Sequence, residues 1–389
     1  MEKDLRNFEN LTLLGDPFHR LGRRLGLVGE GGGTLRVGLV LGLVPWVVLV
    51  ALAFFQGATQ QLFSLASIGA HVRLLLVIPL IFLSESLVVP QWRIFVQQVV
   101  RSGVVPEGEL TSLGDTVSRV IRLRDSWLAE TVCLLVALLI PMLVPWVGLV
   151  DTVAARASSQ TTTGGALVGW WFVFVCLPLF RFLLLRWFWR LGLWVYFVWR
   201  LERLELRLVP THPDGVGGLG YLETVQAQFV PLILAFSVLQ AAVVADGVAR
   251  GVVILDSLFP SLAWILLLDA ILFLGPLFLF TPKLWACRMR GLNDYAILAS
   301  DYVTAFEKKW LDPATDRPEE TLVGTADLQS LADLASSVQI VQGMRWAPAS
   351  LRLIGTFASA ALLPVLPLFL LQYPAGDLVK RLFMGLLGL

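Results

Sequence analysis

One short stretch concentrates the residue types that could do chemistry. RLVPTHPDGVGGLGYLETVQ, Arg207 to Gln226, sets His212 and Asp214 two residues apart and follows them with Gly215, Gly217, Gly218 and Gly220. A histidine and a carboxylate this close can share a proton, with Thr211 beside them as the one evident nucleophile. The glycines let backbone amides converge on an anion, so phosphate or a lipid headgroup is a physical candidate. The spacing is neither a Walker loop nor G-x-G-x-x-G. The same residues also make an ordinary tight turn, in which proline presets φ, aspartate bonds the amides ahead of it and glycine accepts positive φ. With no second acid–base pair and no metal-ligand cluster nearby, a structural or gating turn is favoured over catalysis, and a catalytic residue is assigned to none of these positions.

A second group consists of charges inside apolar stretches, which are costly in lipid and mark function or buried pairing. Counting ~1.5 Å per residue from the ends of the apolar runs places Glu85, Glu130, Arg181 and Arg186 at one level, in the cytoplasmic third of a membrane. Their signs balance. Interhelical ion pairs are the plain reading, and a polar cavity floored by the cluster is the functional one. Asp269 differs, because it falls near the middle of its apolar run with no cation at that depth. Such a carboxyl marks a candidate pathway for an ion or a proton. His71, Arg73 and Asp246 sit at the opposite ends of their runs, as an entrance or as interfacial anchors.

The elements that must position these residues are helices in a membrane. The chain has 389 residues, 57% hydrophobic and only 15% charged, and a mean hydropathy of +0.76. Several runs reach the ~20 residues needed to cross the hydrocarbon core. The expected fold is all-α, a polytopic integral membrane protein with about seven spans near 37–55, 72–90, 127–149, 166–187, 228–248, 261–281 and 351–372. A net charge of +1 removes the electrostatic case for nucleic acid. Cys133, Cys176 and Cys287 are far apart and form no C-x-x-C pair, so neither zinc nor a disulfide framework is indicated, and no cofactor is implied. The polar start MEKDLRNFENLTLLGDPFHRLGRRLGL carries no cleavable signal pattern, so delivery rests on the first span.

Lys and Arg cluster in the N-terminal tail 1–36, in 93–124, in 190–207 and in 283–345, while 56–70, 151–165 and 249–260 are poor in them. The N-terminus and the loop 208–225 are therefore expected in the cytoplasm. Spans one to six occupy 37–282, and a last span with an amphipathic tail on either surface occupies 350–389. Segment 105–126 opens on Pro106 and two glutamates and continues at helical spacing, so it reads as a surface helix. Within 283–349 two amphipathic helices are expected, one presenting Trp285, Met289, Leu292, Tyr295, Tyr302, Phe306 and Trp310. The other is capped by Thr325 and presents Leu328, Leu331, Leu334, Val338 and Val341. Their apolar faces need a cover: each other, the membrane, or a second copy. From Ala166 to about Leu208 nothing stops the helix except Pro178 and Gly192, and a bend at one of them, laying the Trp- and Arg-rich half along the interface, is the favoured reading. Pro141, Pro145, Gly275, Pro276, Pro364 and Pro367 interrupt other spans, as in helices that line transport sites.

THPDGVGGLGYL, TADLQSLADLASSVQIVQGMR (Thr325 to Arg345) and LRDSWLAE (Leu123 to Glu130) together resemble a family of bacterial membrane proteins without an assigned activity. The resemblance implies a location in the bacterial cytoplasmic membrane and no particular chemistry. The function expected from the residues is an ion-conducting or transport pathway, surrounded by membrane lipids and built as a homo-oligomer that the cytoplasmic helices assemble or gate. A lipid-headgroup-binding protein or lipid-directed enzyme using His212 and Asp214, with Arg186, Arg190 and Arg200 as phosphate partners, is the alternative. A membrane scaffold or sensor is the third.

Overall fold

The computed structural model describes residues 33–64, 67–147, 166–249, 258–311, 322 and 324–368. The N-terminal tail up to residue 32, the expected loop 151–165, residues 250–257 of the expected loop 249–260, the acidic linker at 312–321 and the tail from 369 lie outside the described residues. The described chain is helical, without strands. Its elements are α1 (Gly33–Phe55), α2 (Ile68–Arg101), α3 (Leu110–Arg124), α4 (Trp127–Val147), α5 (Leu167–Glu202), α6 (Gly220–Ala227) and α7 (Val230–Ala249). They continue with α8, which runs Leu258–Asp269, Ala270–Leu274 and Gly275–Phe278, then α9 (Thr281–Trp310), α10 (Ala326–Gln342) and α11 (Leu351–Leu362).

By length and composition, four of these helices can cross a membrane, or five when the segment Leu266–Phe278 is joined to α9. Trp127–Leu139 and Leu351–Leu362 are shorter apolar helices. The fold thus defines the class, an all-helical protein with several helices that fit a membrane.

Close packing in the absence of bulky side chains sets the α1–α2 pair. A Cβ on Gly42 would stand 2.2 Å from the Leu74 carbonyl oxygen, and one on Gly38 2.6 Å from Phe82 Cβ. Small residues let membrane helices approach backbone to backbone in this way. Gly42→Ala should therefore cost about 1–3 kcal/mol of stability through overpacking, whereas Gly192→Ala, with nothing within 4 Å, should cost nothing. Thermal unfolding of both variants in detergent checks this, and equal melting points would refute the packing account.

Three helices contain a π-helical turn: Val72–Val77 in α2, Phe172–Cys176 in α5 and Ala270–Leu274 in α8. Such turns release carbonyls from the regular ladder and recur at functional positions. In α5 the turn has a direct structural use. Pro178 follows it, in the first turn of the resumed α-helix, where a missing N–H is tolerated.

The expected bend in α5 is corrected by this geometry. The helix runs from Leu167 to Glu202 as one element of 36 residues, about 54 Å at ~1.5 Å per residue. Its second half is held by protein rather than by an interface. Trp194, Phe197, Val198 and Leu201 are each at most 1% exposed, and α5 packs on α2, α3 and α4. Trp92 and Phe95 of α2 meet Trp194 and Phe197 edge to face, at 5.3–6.3 Å between ring centroids. A column with a filled aromatic seam has no reason to kink.

At Leu279–Phe280 the chain turns by 46° into α9. α9 and α10 then pair antiparallel, with Arg288 donating to the Gln342 carbonyl at 3.0 Å near one end. At the other end Tyr302, Lys309 and Trp310 all donate to Asp327, at 3.0, 2.6 and 3.1 Å. Thr325 caps α10 as its type predicts, accepting from the Leu328 amide. Leu292, Tyr295, Tyr302 and Phe306 of α9 and Leu331, Leu334 and Val338 of α10 are half-buried and the two helices pack together, so they cover each other in part. Trp285, Met289 and Val303 remain 40–51% exposed on the flank.

Candidate functional site

Three groupings follow from this frame. The first is the loop between α5 and α6. Asp214 Oδ1 accepts from the Val216 amide at 2.9 Å, and Oδ2 accepts from Gly218 at 3.0 Å and Gly220 at 2.7 Å. His212 Nδ1 lies 2.8 Å from Oδ1. Gly215, Gly217 and Gly218 take φ of +66°, +67° and +102°, the left-handed region that glycine enters without a Cβ penalty. A Cβ on Gly218 would also stand 2.6 Å from Val104 Cγ2. The convergent amides foreseen for an external anion thus hold an internal one. Burial raises the Asp214 carboxyl, but the amides of Val216, Gly220 and Gly218, with His212, outweigh it and hold the group below the ordinary aspartate range.

The loop is also a hub. The Arg207 amide donates to the Val104 carbonyl at 2.7 Å beyond α2, and the Arg345 amide donates to the Gly215 carbonyl at 2.8 Å. The Arg345 guanidinium bonds Glu223 at 2.9 Å and the Asp214 carbonyl at 3.2 Å, while Ser350 donates to the same Glu223. Tyr221 donates to Gln91 of α2 at 2.6 Å. Lys283 of α9 donates to the carbonyls of Glu202 and Leu204 at the end of α5. Val216, Leu219 and Leu222 are fully buried beneath. Sequence reasoning passed over Arg345, Glu223, Gln91 and Lys283 as functional positions. A signal for one of them was present, since Arg345 closes a stretch that carries the family resemblance, while Glu223 lies one residue past another.

The second grouping is the charge cluster. Glu85, at 3% exposed, pairs with Arg190 at 2.9 Å and faces Arg186 at 3.7 Å, and Arg186 faces Glu130 at 3.7 Å. Glu85, Glu130 and Arg186, all expected at one level, meet in these contacts. Arg181 stands half-buried five residues earlier on α5, and Arg190, read from the sequence as an interfacial cation, makes the shortest contact. Arg124 and Asp125, from the quoted LRDSWLAE stretch, pair at 2.6 Å close by, where an apolar cleft is lined by Trp92, Arg124, Trp187, Arg190, Trp194 and Phe229.

The third is Asp269, where α8 enters its π-turn. Leu267, Leu268 and Ile271 are 47–60% exposed and face outward, while Asp269 is 5% exposed and faces inward with Phe273. Both of its carboxylate oxygens are buried without a hydrogen-bond partner among the described residues. Below it, the Phe273 carbonyl accepts from Gln226, whose own oxygen accepts from Trp194 Nε1 at 3.1 Å. Ser237 of α7 donates to the Ala361 carbonyl of α11. His71 is accounted for structurally: Nδ1 accepts from Trp46 at 2.9 Å, Nε2 faces the Leu62 carbonyl at 2.9 Å, and Phe63 stacks on the ring.

Among the described residues no group of three or more His, Cys, Asp or Glu could hold a metal ion. No protein family, curated protein or solved structure matches the chain.

Proposed function

We propose that the protein forms an ion-conducting or transport pathway in a bacterial inner membrane, as a homo-oligomer with seven spans and a cytoplasmic N-terminus. The observation that carries this reading is Asp269. A buried carboxyl with no donor costs several kcal/mol, and packing alone gives it no use. The helix that bears it is π-turned and ends at Leu279–Phe280 in a 46° bend, the kind of element that lines transport sites. The charge cluster and the loop hub would then be the fixed frame around α8. The lipid-headgroup reading is weaker because the loop amides are already occupied by Asp214.

The test is current across a planar bilayer containing the purified protein, with Asp269→Asn and Asp214→Ala beside it. Asp269→Asn is expected to lower current at least tenfold while leaving expression and oligomer size intact. Equal currents in the two proteins would remove Asp269 from the path. An effect of Asp214→Ala alone would move the gate to the loop.

A further inference from the structure

We infer that the ion handled at Asp269 is the proton, an inference that rests on the pathway reading above and narrows it. The ground is the supply of oxygen ligands. A hard cation stripped of water needs about six or more oxygens around it, and membrane filters supply them as rings of carbonyls or carboxylates. Among the described residues no such ring surrounds Asp269, whose two carboxylate oxygens have no hydrogen-bond partner.

Among the described residues, α7 and α11 are the elements packed most closely against Leu258–Asp269 of α8. Phe273 touches Phe236 of α7 and Phe357 of α11, at 6.1 and 6.4 Å between rings, and Asp269 is one turn beyond it on the same face. That puts the carboxyl at the level of Ser237 and Ala361. The Ala361 carbonyl there already accepts the Ser237 hydroxyl, and the Phe273 carbonyl already accepts Gln226. The only charged side chain on α7 is Asp246 and the only one on α11 is Arg352. Each is nine residues along its helix from that level, about 13 Å at ~1.5 Å per residue. α8 carries no other charge from Leu258 to Phe278.

One carboxylate in such a setting cannot hold sodium, potassium or calcium, but a single oxygen suffices for a proton. The step balances simply. A hydronium on one side gives a proton to a carboxylate oxygen: its own O–H bond breaks, a carboxyl O–H bond forms and water is left. That bond breaks when the proton passes to water on the other side, and no electrons are transferred. The protonated carboxyl is neutral and fits the apolar surroundings, so the π-turn is the element free to re-aim it between the two sides.

The experiment uses proteoliposomes of the full chain with a pH-sensitive dye inside and a potassium–valinomycin potential as the driving force. Proton influx is expected in the wild type, at least tenfold slower in Asp269→Asn and partly restored in Asp269→Glu. The reversal potential should follow the pH gradient and ignore a sodium gradient. A flux that follows sodium or potassium and is lost in Asp269→Asn would overturn the proton assignment while leaving the pathway standing. No flux of any ion from a folded oligomer would overturn the pathway and this inference with it. As a readout that does not depend on transport, infrared difference spectra between acid and alkaline pH should show a carboxyl C=O band, shifted in D2O and missing in Asp269→Asn. A spectrum unchanged by that substitution would also overturn the assignment.

Discussion

Asp214→Ala is expected to cost about 3–5 kcal/mol of stability, close to the whole margin of many domains. The carboxylate fills three amides and faces His212, and without it those amides would point at one another in a loop with three positive-φ glycines. Each buried donor left unmade costs about 1–3 kcal/mol. The total stays below their sum because the Asp214 side chain is 19% exposed and water can replace part of the loss. Asp214→Asn should be almost as harmful, since its NH2 would meet the amide donors of Gly218 and Gly220 or that of Val216 head on. Chemical unfolding in detergent measures this, and a variant as stable as wild type would show that the loop is not held by its aspartate.

The same carboxyl gives a pH dependence of defined sign. Its folded pKa is depressed, so the stabilisation is fully present above the unfolded value of about 3.9 and is lost as pH falls through the folded value. The Asp214 contribution should be flat from pH 8 to 5 and decline below about 4. Unfolding at pH 7 and pH 3.5 should bring the wild type and Asp214→Ala closer together at the lower pH.

Glu85→Ala is expected to be as damaging, at about 3–5 kcal/mol, the usual cost of breaking a buried ion pair by removing one partner. Glu85 is the anion for Arg190 and shares Arg186 with Glu130. Its loss leaves two guanidinium groups facing one carboxylate inside the helical core. The paired variant Glu85→Leu with Arg190→Met takes away one charge of each sign, leaves Glu130 opposite Arg186 and should recover most of the stability. If the double variant is no better than the single, the cluster is held by something other than charge balance.

Hydropathy and periodicity alone settled the helical class and the approximate place of each long helix, because the requirement that a span satisfy its own backbone is local. The start of α3 after Pro106, the Thr325 cap and the two amphipathic helices α9 and α10, though not their pairing, were legible for the same reason, as each depends on neighbours within a turn or two. The common depth of Glu85, Glu130 and Arg186 was also legible, since rise per residue fixes height along a helix. What height does not fix is azimuth. Arg190, nine residues or about 13 Å along α5 from Arg181 at ~1.5 Å per residue, meets Glu85 because the aromatic seam with Trp92 and Phe95 sets both the height and the rotation of α5 against α2. The unbroken course of α5 through Pro178 goes with a π-turn just before it, and no residue pattern announces such a turn.

The opening loop shows the division most clearly. Its glycines and aspartate specified a turn with convergent amides. Only the fold decided that Asp214 fills them and that Arg345, more than a hundred residues later, clamps the loop to Glu223. Contacts of that range carry no local signal, because they depend on which helices the packed core has already brought together.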